Sequence, residues 1–151
     1  MEDKLFEDSQ LIIFTDGGSR GNPGPAAIGV VIGTKKYGMN IGSTTNNVAE
    51  YKAVVFALKK AKQLLGKTTA KKTDLLVHGD SELLYKQMRG EYKIKEPDLQ
   101  QLFIEVWNLK QDFGSVKFVK IPRAQNAEAD SVLNEVLDGR GDHLQETAQL
   151  F

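Results

Sequence analysis

The sequence predicts a single α/β domain built on a mixed sheet, and three observations carry that prediction. Apolar runs of strand length, Leu11-Ile12-Ile13-Phe14, Ala26–Gly33 and Tyr37–Thr44, follow one another across short connections, as in an antiparallel meander. From Val48 the apolar positions recur instead at helical spacing, through Ala49, Ala53, Val54, Ala57, Leu58, Ala61 and Leu65. Two more strand-like runs, Leu75-Leu76-Val77 and Val116–Ile121, are separated by helical stretches, which calls for parallel pairing. The order is therefore βββ-α-β-α-α-β-α, a five-stranded sheet with three antiparallel strands followed by parallel ones and flanked by helices.

Each element has a local reason. The first strand, residues 11–16, is almost continuously apolar, which fits a central position, and it ends in Asp16. The segment FTDGGSRGNPGP then carries four glycines and two prolines, chemistry suited to a wide turn. Thr34-Lys35-Lys36 reads as the short turn into the third strand. The long helix stops at Gly66, and Asn47 with Glu50 has the spacing of a capping box at its start. GKTTAKKT reads as a lysine-rich loop. Ser81–Arg89 is a short helix closed by Gly90, a further helix runs from Pro97 to about Asp112, and the last spans Ala127 to Leu137. Residues 11–138 form the expected domain, with a short extension at 1–10 and a tail at 139–151.

Composition removes several functions. The chain has 151 residues, enough for a full core, and 20 basic against 20 acidic residues, a balance unlike that of a general polycation. With no cysteine there is no disulfide scaffold, thiolate zinc site or cysteine nucleophile, which fits a reducing cytoplasm. No apolar stretch approaches the ~20 residues of a membrane span. MEDKLFEDSQ lacks the basic-then-apolar order of a signal peptide, so an intracellular protein without a membrane partner is expected.

Four carboxylates occupy positions where chemistry concentrates in such folds. Asp16 closes the first strand, Asp80 closes the fourth, and Glu50 and Asp130 lie in the first turns of two helices. Each also has a structural reading. Asp16 suits a turn, Glu50 a capping box, Asp80 a cap for the helix that Ser81 begins, and Asp130 the positive end of a helix dipole. Gathered at one sheet edge, however, the four would repel one another unless a cation neutralised them. All-oxygen donors point to Mg²⁺ or Mn²⁺ rather than zinc. The glycine segment lacks the Gly-Lys-Ser/Thr ending of a phosphate-binding loop. His78, inside an apolar strand, reads as core, and His143 lies in the tail, so neither makes a persuasive serine-hydrolase base.

The blocks TDGGSRGNPGPAAIG, TTNNVAEYKAVVFAL, VHGDSELLYKQMRGEYKIK and IPRAQNAEAD resemble, in order, the four blocks of type 1 ribonuclease H, over nearly the whole chain. The resemblance implies the ribonuclease H-like fold and cleavage of the RNA strand of RNA–DNA hybrids with two divalent metals. It assigns Asp16, Glu50, Asp80 and Asp130 as metal-binding and catalytic residues, with Mg²⁺ as the metal and Mn²⁺ as a substitute. It implies hybrid contacts at Gly17, Gly18, Ser19, Asn22, Thr45, Asn46, Asn47 and Ser81, where small side chains admit the RNA minor groove and its 2′-hydroxyls. Thr45 with Asn22 resembles the family's DNA-phosphate pocket. Double-stranded RNA is a second candidate substrate, and a monomer is expected.

Three departures stand out. The loop PRAQNAEAD is short and lacks the histidine that many members carry there, leaving Arg123 as the nearest functional candidate. The basic protrusion of some members is missing, so Lys86, Arg89, Lys93 and Lys95, with Tyr92 as a stacking ring, are the candidates for a weaker DNA-strand contact. Glu82 stands where many members have glutamine, which adds negative charge near a phosphate. The main rival reading is a hybrid-binding module of the same fold that cuts weakly or not at all. A related nuclease acting on DNA is disfavoured by the TTNN and GNPGP blocks.

Overall fold

The computed structural model describes residues 10–141; most of the N-terminal extension, and the tail from residue 142 including His143, lie outside the described residues. The elements are β1 (Gln10–Ser19), β2 (Gly24–Ile32), β3 (Lys35–Thr44), α1 (Asn46–Leu65), α2 (Lys67–Ala70), β4 (Asp74–Gly79), α3 (Glu82–Met88), α4 (Pro97–Lys110), β5 (Ser115–Lys120) and α5 (Ala127–Leu137), the last entered through a 3-10 turn at Arg123–Asn126. The five strands form one sheet in the order β3-β2-β1-β4-β5. β1–β2 and β2–β3 pair antiparallel, while β1–β4 and β4–β5 pair parallel. This is the mixed topology expected from the sequence.

Three local differences have physical causes. β1 does not stop at Asp16: Gly17, Gly18 and Ser19 stay extended because they pair with Ile28, Ala27 and Ala26 of β2. The wide glycine turn thereby contracts, and Gly24 and Pro25 already belong to β2. The lysine-rich segment folds into α2, where Ala70 is buried and Thr73 Oγ1 donates to the Thr69 carbonyl at 2.7 Å. Finally, Thr45 rather than Asn47 caps α1, its hydroxyl accepting from the Val48 amide at 3.2 Å.

Successive strand residues face opposite sides of the sheet, and the two sides carry unequal cores. Ile28 joins a large core that includes Ile13, Val77, Tyr51, Phe56, Leu58 and Leu99, all at most 2 % exposed. Its neighbour Ala27 joins a small core with Leu133 and Val136 of α5. Burial of each large side chain contributes ~1.5–3 kcal/mol, so α1 is the main anchor of the fold. Two glycines let the helices come close. A methyl group at Gly17 would overlap the Ala49 carbonyl of α1, and one at Gly29 would overlap the Ala129 carbonyl of α5. Gly29 stands directly opposite Asp16 in the β1–β2 register. α1 and α5 are therefore seated beside the same aspartate.

Candidate active site

Those two close approaches bring Glu50 and Asp130 to the strand that carries Asp16. Asp16, Glu50 and Asp80 each present a carboxylate oxygen such that all three lie within 4.8 Å of one another. Asp130 lines the same cleft, of about 640 Å³, and its side chain interacts with that of Asp16. The Gly17 amide donates to Glu50 Oε1 at 3.1 Å. That bond disposes of the capping-box reading, because Glu50 reaches across to β1 rather than back to its own helix start. Asp80 likewise does not cap α3; Ser81 does, its Oγ accepting from the Leu84 amide at 3.2 Å.

Crowding and burial set the electrostatics. Asp16 is 6 % exposed, and burial, then the Asp80 and Asp130 charges and a hydrogen bond with Asp130, push its carboxyl up to about 8. Glu50 is also raised well above the usual carboxylate range, first by burial and then by Asp16 and Asp80, against smaller opposing effects of the Gly17 amide and Arg123. A cluster of four carboxylates, in which Asp16 and Glu50 are pushed toward their protonated forms, fits a hard divalent cation that would neutralise it with oxygen donors alone.

Around this centre, Asn46 Oδ1 accepts from both the amide and the hydroxyl of Ser19, at 2.9 and 3.2 Å. Asn22 Oδ1 in turn accepts from the Asn46 amide at 2.9 Å, tying the β1–β2 turn to the start of α1. Asn22 is followed by a cis peptide bond to Pro23. Asn46 and Asn47 are exposed, and Gly18 and Ser19 line the cleft. Arg123 is 83 % exposed, with Nη2 4.0 Å from Asp130 Oδ1.

The predicted basic contacts lie elsewhere, on α3 and the segment after it. Lys86 pairs with Glu82 at 3.3 Å and sits 5.0 Å from the centre of the Tyr92 ring, and Arg89 pairs with Glu91 at 3.4 Å. Lys93 and Lys95 are exposed, and the Lys93 carbonyl accepts from Gln87 Nε2 at 2.9 Å. Glu82 therefore has a local partner. His78 is half-buried and stacks on Phe14, ring centres 5.0 Å apart.

Sequence reasoning missed Arg20 and Lys120, two cations in the wall of the cleft. Position alone identifies Lys120, the last residue of β5, since strand ends converge at this rim. It also missed Asn126, 1 % exposed, whose Nδ2 donates to the Thr15 carbonyl at 2.9 Å and pins the turn before α5 to β1.

A mixed five-stranded sheet with a carboxylate cluster on its central strands defines the class of ribonuclease H-like α/β domains with a hard-cation site. The family model described as "Reverse transcriptase-like" matches residues 14–136, and the chain belongs to that family, with type 1 ribonucleases H as its relatives. It is 38 % identical over 136 residues to the bifunctional protein Rv2228c of Mycobacterium tuberculosis, covering 85 % of this chain and 36 % of that protein. It is 37 % identical over 131 residues to ribonuclease HI of Halobacterium salinarum, covering 83 % and 63 % of the two chains. Among solved structures it is similar to LC11-RNase H1 in complex with an RNA/DNA hybrid, at 44 % identity and a TM-score of 0.80, covering 86 % of this chain and 98 % of that one. The chain spans about a third of the length of the mycobacterial relatives it matches.

Proposed function

We propose that this chain is an endoribonuclease that hydrolyses the RNA strand of RNA–DNA hybrids, with residues 11–138 as the working unit. The observation that carries the reading is the convergence of Asp16, Glu50 and Asp80 within 4.8 Å, with Asp130 in the same cleft. These four side chains would hold two divalent cations, Mg²⁺ or in its place Mn²⁺. When bound, such cations make water a nucleophile at neutral pH and stabilise both the attacking and the leaving oxygen of an in-line displacement.

The remaining work falls to this chain's own groups. Gly17 and Gly18 keep side chains out of the path of the hybrid backbone, and Ser19, Asn22, Asn46 and Asn47 offer small polar groups to 2′-hydroxyls in the minor groove. Thr45 and Ser81, at the starts of α1 and α3, offer hydroxyl protons to phosphate oxygens. Arg123 beside Asp130 offsets charge at the scissile phosphate, and Lys86, Arg89, Tyr92, Lys93 and Lys95 face the DNA strand. Among the described residues no helix is long and apolar enough to cross a membrane. A monomer in the cytoplasm is the setting we assign.

The test offers labelled hybrid, double-stranded RNA and duplex DNA side by side, in chelator, Mg²⁺ and Mn²⁺. Cleavage of the RNA strand of the hybrid only when metal is present is the expected result. Cleavage that survives full chelation would overturn the mechanism. Metal-independent binding of hybrid with no cleavage would leave a binding module instead.

A further inference from the structure

Beneath the acidic rim lies a side chain that the proposed reaction does not use. Tyr85 of α3 is 1 % exposed, and its ring packs edge-on to Phe118 with centres 6.0 Å apart at 83°. Its hydroxyl is buried beside Thr15, yet no hydrogen bond of good geometry satisfies it. A methyl group placed on Gly79 would come within 2.5 Å of that oxygen, so the last residue of β4 is bare where the hydroxyl sits. Thr15 precedes Asp16 on β1, and Gly79 precedes Asp80. The hydroxyl is thus wedged between two adjacent strand ends, one residue below two of the clustered carboxylates.

An unsatisfied buried hydroxyl destabilises a fold, and phenylalanine would fill the same ring-shaped space without that penalty. Burial raises the phenol far above its ordinary range, with smaller contributions from Glu50, Asp80 and Asp16, so it remains a protonated donor at any physiological pH. Resting on the functional reading above, we propose that the Tyr85 hydroxyl is a positioning group for the cation site. Wedged between Thr15 and Gly79, it fixes the spacing of the strand ends that present Asp16 and Asp80, and so sets how tightly the site holds its metal. Groups that orient ligands from behind commonly change metal affinity 10–100-fold when altered, because a site tolerates only small displacements of its donors.

The test is Tyr85→Phe in the full chain, compared with wild type by calorimetric titration with Mn²⁺, by melting in chelator and in Mg²⁺, and by cleavage of labelled hybrid across a Mg²⁺ series. The expected result is a metal midpoint raised about tenfold in both titration and cleavage. At saturating metal, kcat and the hybrid KM should stay within about twofold of wild type. In chelator the variant should melt at or above the wild-type temperature, because an orphaned polar atom has gone. An unchanged metal midpoint, with wild type binding Mn²⁺ and cutting hybrid normally, would overturn the positioning role and leave the proposed function standing. A wild type that neither shifts its melting with metal nor cuts would overturn both.

Discussion

The acidic rim and the basic edge on α3 are built by opposite means. At the rim, backbone meets backbone: Gly17 lets α1 in from one side of the sheet, Gly29 lets α5 in from the other, and Asp16 lies between them, 6 % exposed. At the edge, Lys86 and Arg89 hold only partly exposed local pairs, and Lys93 and Lys95 project into solvent. The first arrangement seats the donors on closely packed backbone at the cost of crowding like charges. The second supplies diffuse attraction whose members can be exchanged. Chemistry at a phosphodiester needs the first kind of precision, whereas holding a duplex needs only the second.

The sharpest way to break this contrast is at the rim. Asp16→Asn and Asp80→Asn should each lower kcat by roughly 10²–10³-fold, since stabilisation by a correctly held cation is worth several kcal/mol. Hybrid binding should remain measurable, because duplex contacts come largely from other groups. Single-turnover cleavage beside a binding isotherm separates the two quantities. Near-normal cutting by Asp16→Asn would leave Asp16 a strand residue with no part in the chemistry.

Next in size is the backbone approach itself. Gly29→Ala places a methyl against the Ala129 carbonyl, and the overpacking should cost about 1–3 kcal/mol in denaturant unfolding while displacing Asp130. An unaffected variant would mean that α5 is free to back away and that the rim is looser than described.

The third test concerns charge. Asp16 has a folded-state pKa of about 8, above its ordinary value of 3.8, so the folded protein binds more protons than the unfolded chain. In chelator, stability should be greatest below about pH 4 as far as this group is concerned, and should fall as pH rises through 8. Asp16→Asn should accordingly stabilise the metal-free protein at pH 7 by on the order of 1 kcal/mol or more, and flatten the pH dependence. Mg²⁺ should raise the melting temperature of wild type more than that of the variant. Destabilisation by Asp16→Asn in chelator would contradict the crowding.

The smallest effects belong to the basic edge. Lys93→Ala and Lys95→Ala should each weaken hybrid binding only a few-fold and reduce the slope of log affinity against log salt by about one, leaving kcat unchanged. A large loss of kcat from either would show that the edge is coupled to the rim.

Much of the fold was legible because it rests on patterns that tertiary structure had no reason to override. The bounds of α5, Ala127–Leu137, match those expected from the sequence, and the change from antiparallel to parallel pairing follows from which runs are joined by turns and which by helices. The convergence of the carboxylates was legible only as a rule about strand ends and helix starts. Contraction of the glycine turn was not visible, since Gly17 and Gly18 have little strand preference of their own and are held extended by pairing with β2. The cap of α1 was equally hidden, because Thr45, Asn46 and Asn47 are all competent. Tertiary bonding decides among them: Asn22 occupies the Asn46 amide, and the Asn46 side chain is taken by Ser19. Lys120 is marked only by its place at the end of a strand and Asn126 carries no local signal at all, so the folded sheet is what brings them to the cleft or beneath it.

The hydrogen bond from the Gly17 amide to Glu50 has a practical side. A glycine amide is a single backbone proton whose magnetic resonance needs no engineered label. Here it points at a carboxylate in the centre of the acidic cluster, 3.1 Å away. Its chemical shift should follow the ionisation of Glu50 and its engagement by a cation, in solution and without substrate. The close packing that seats α1 on β1 therefore also furnishes the protein with a built-in spectroscopic gauge of its own centre.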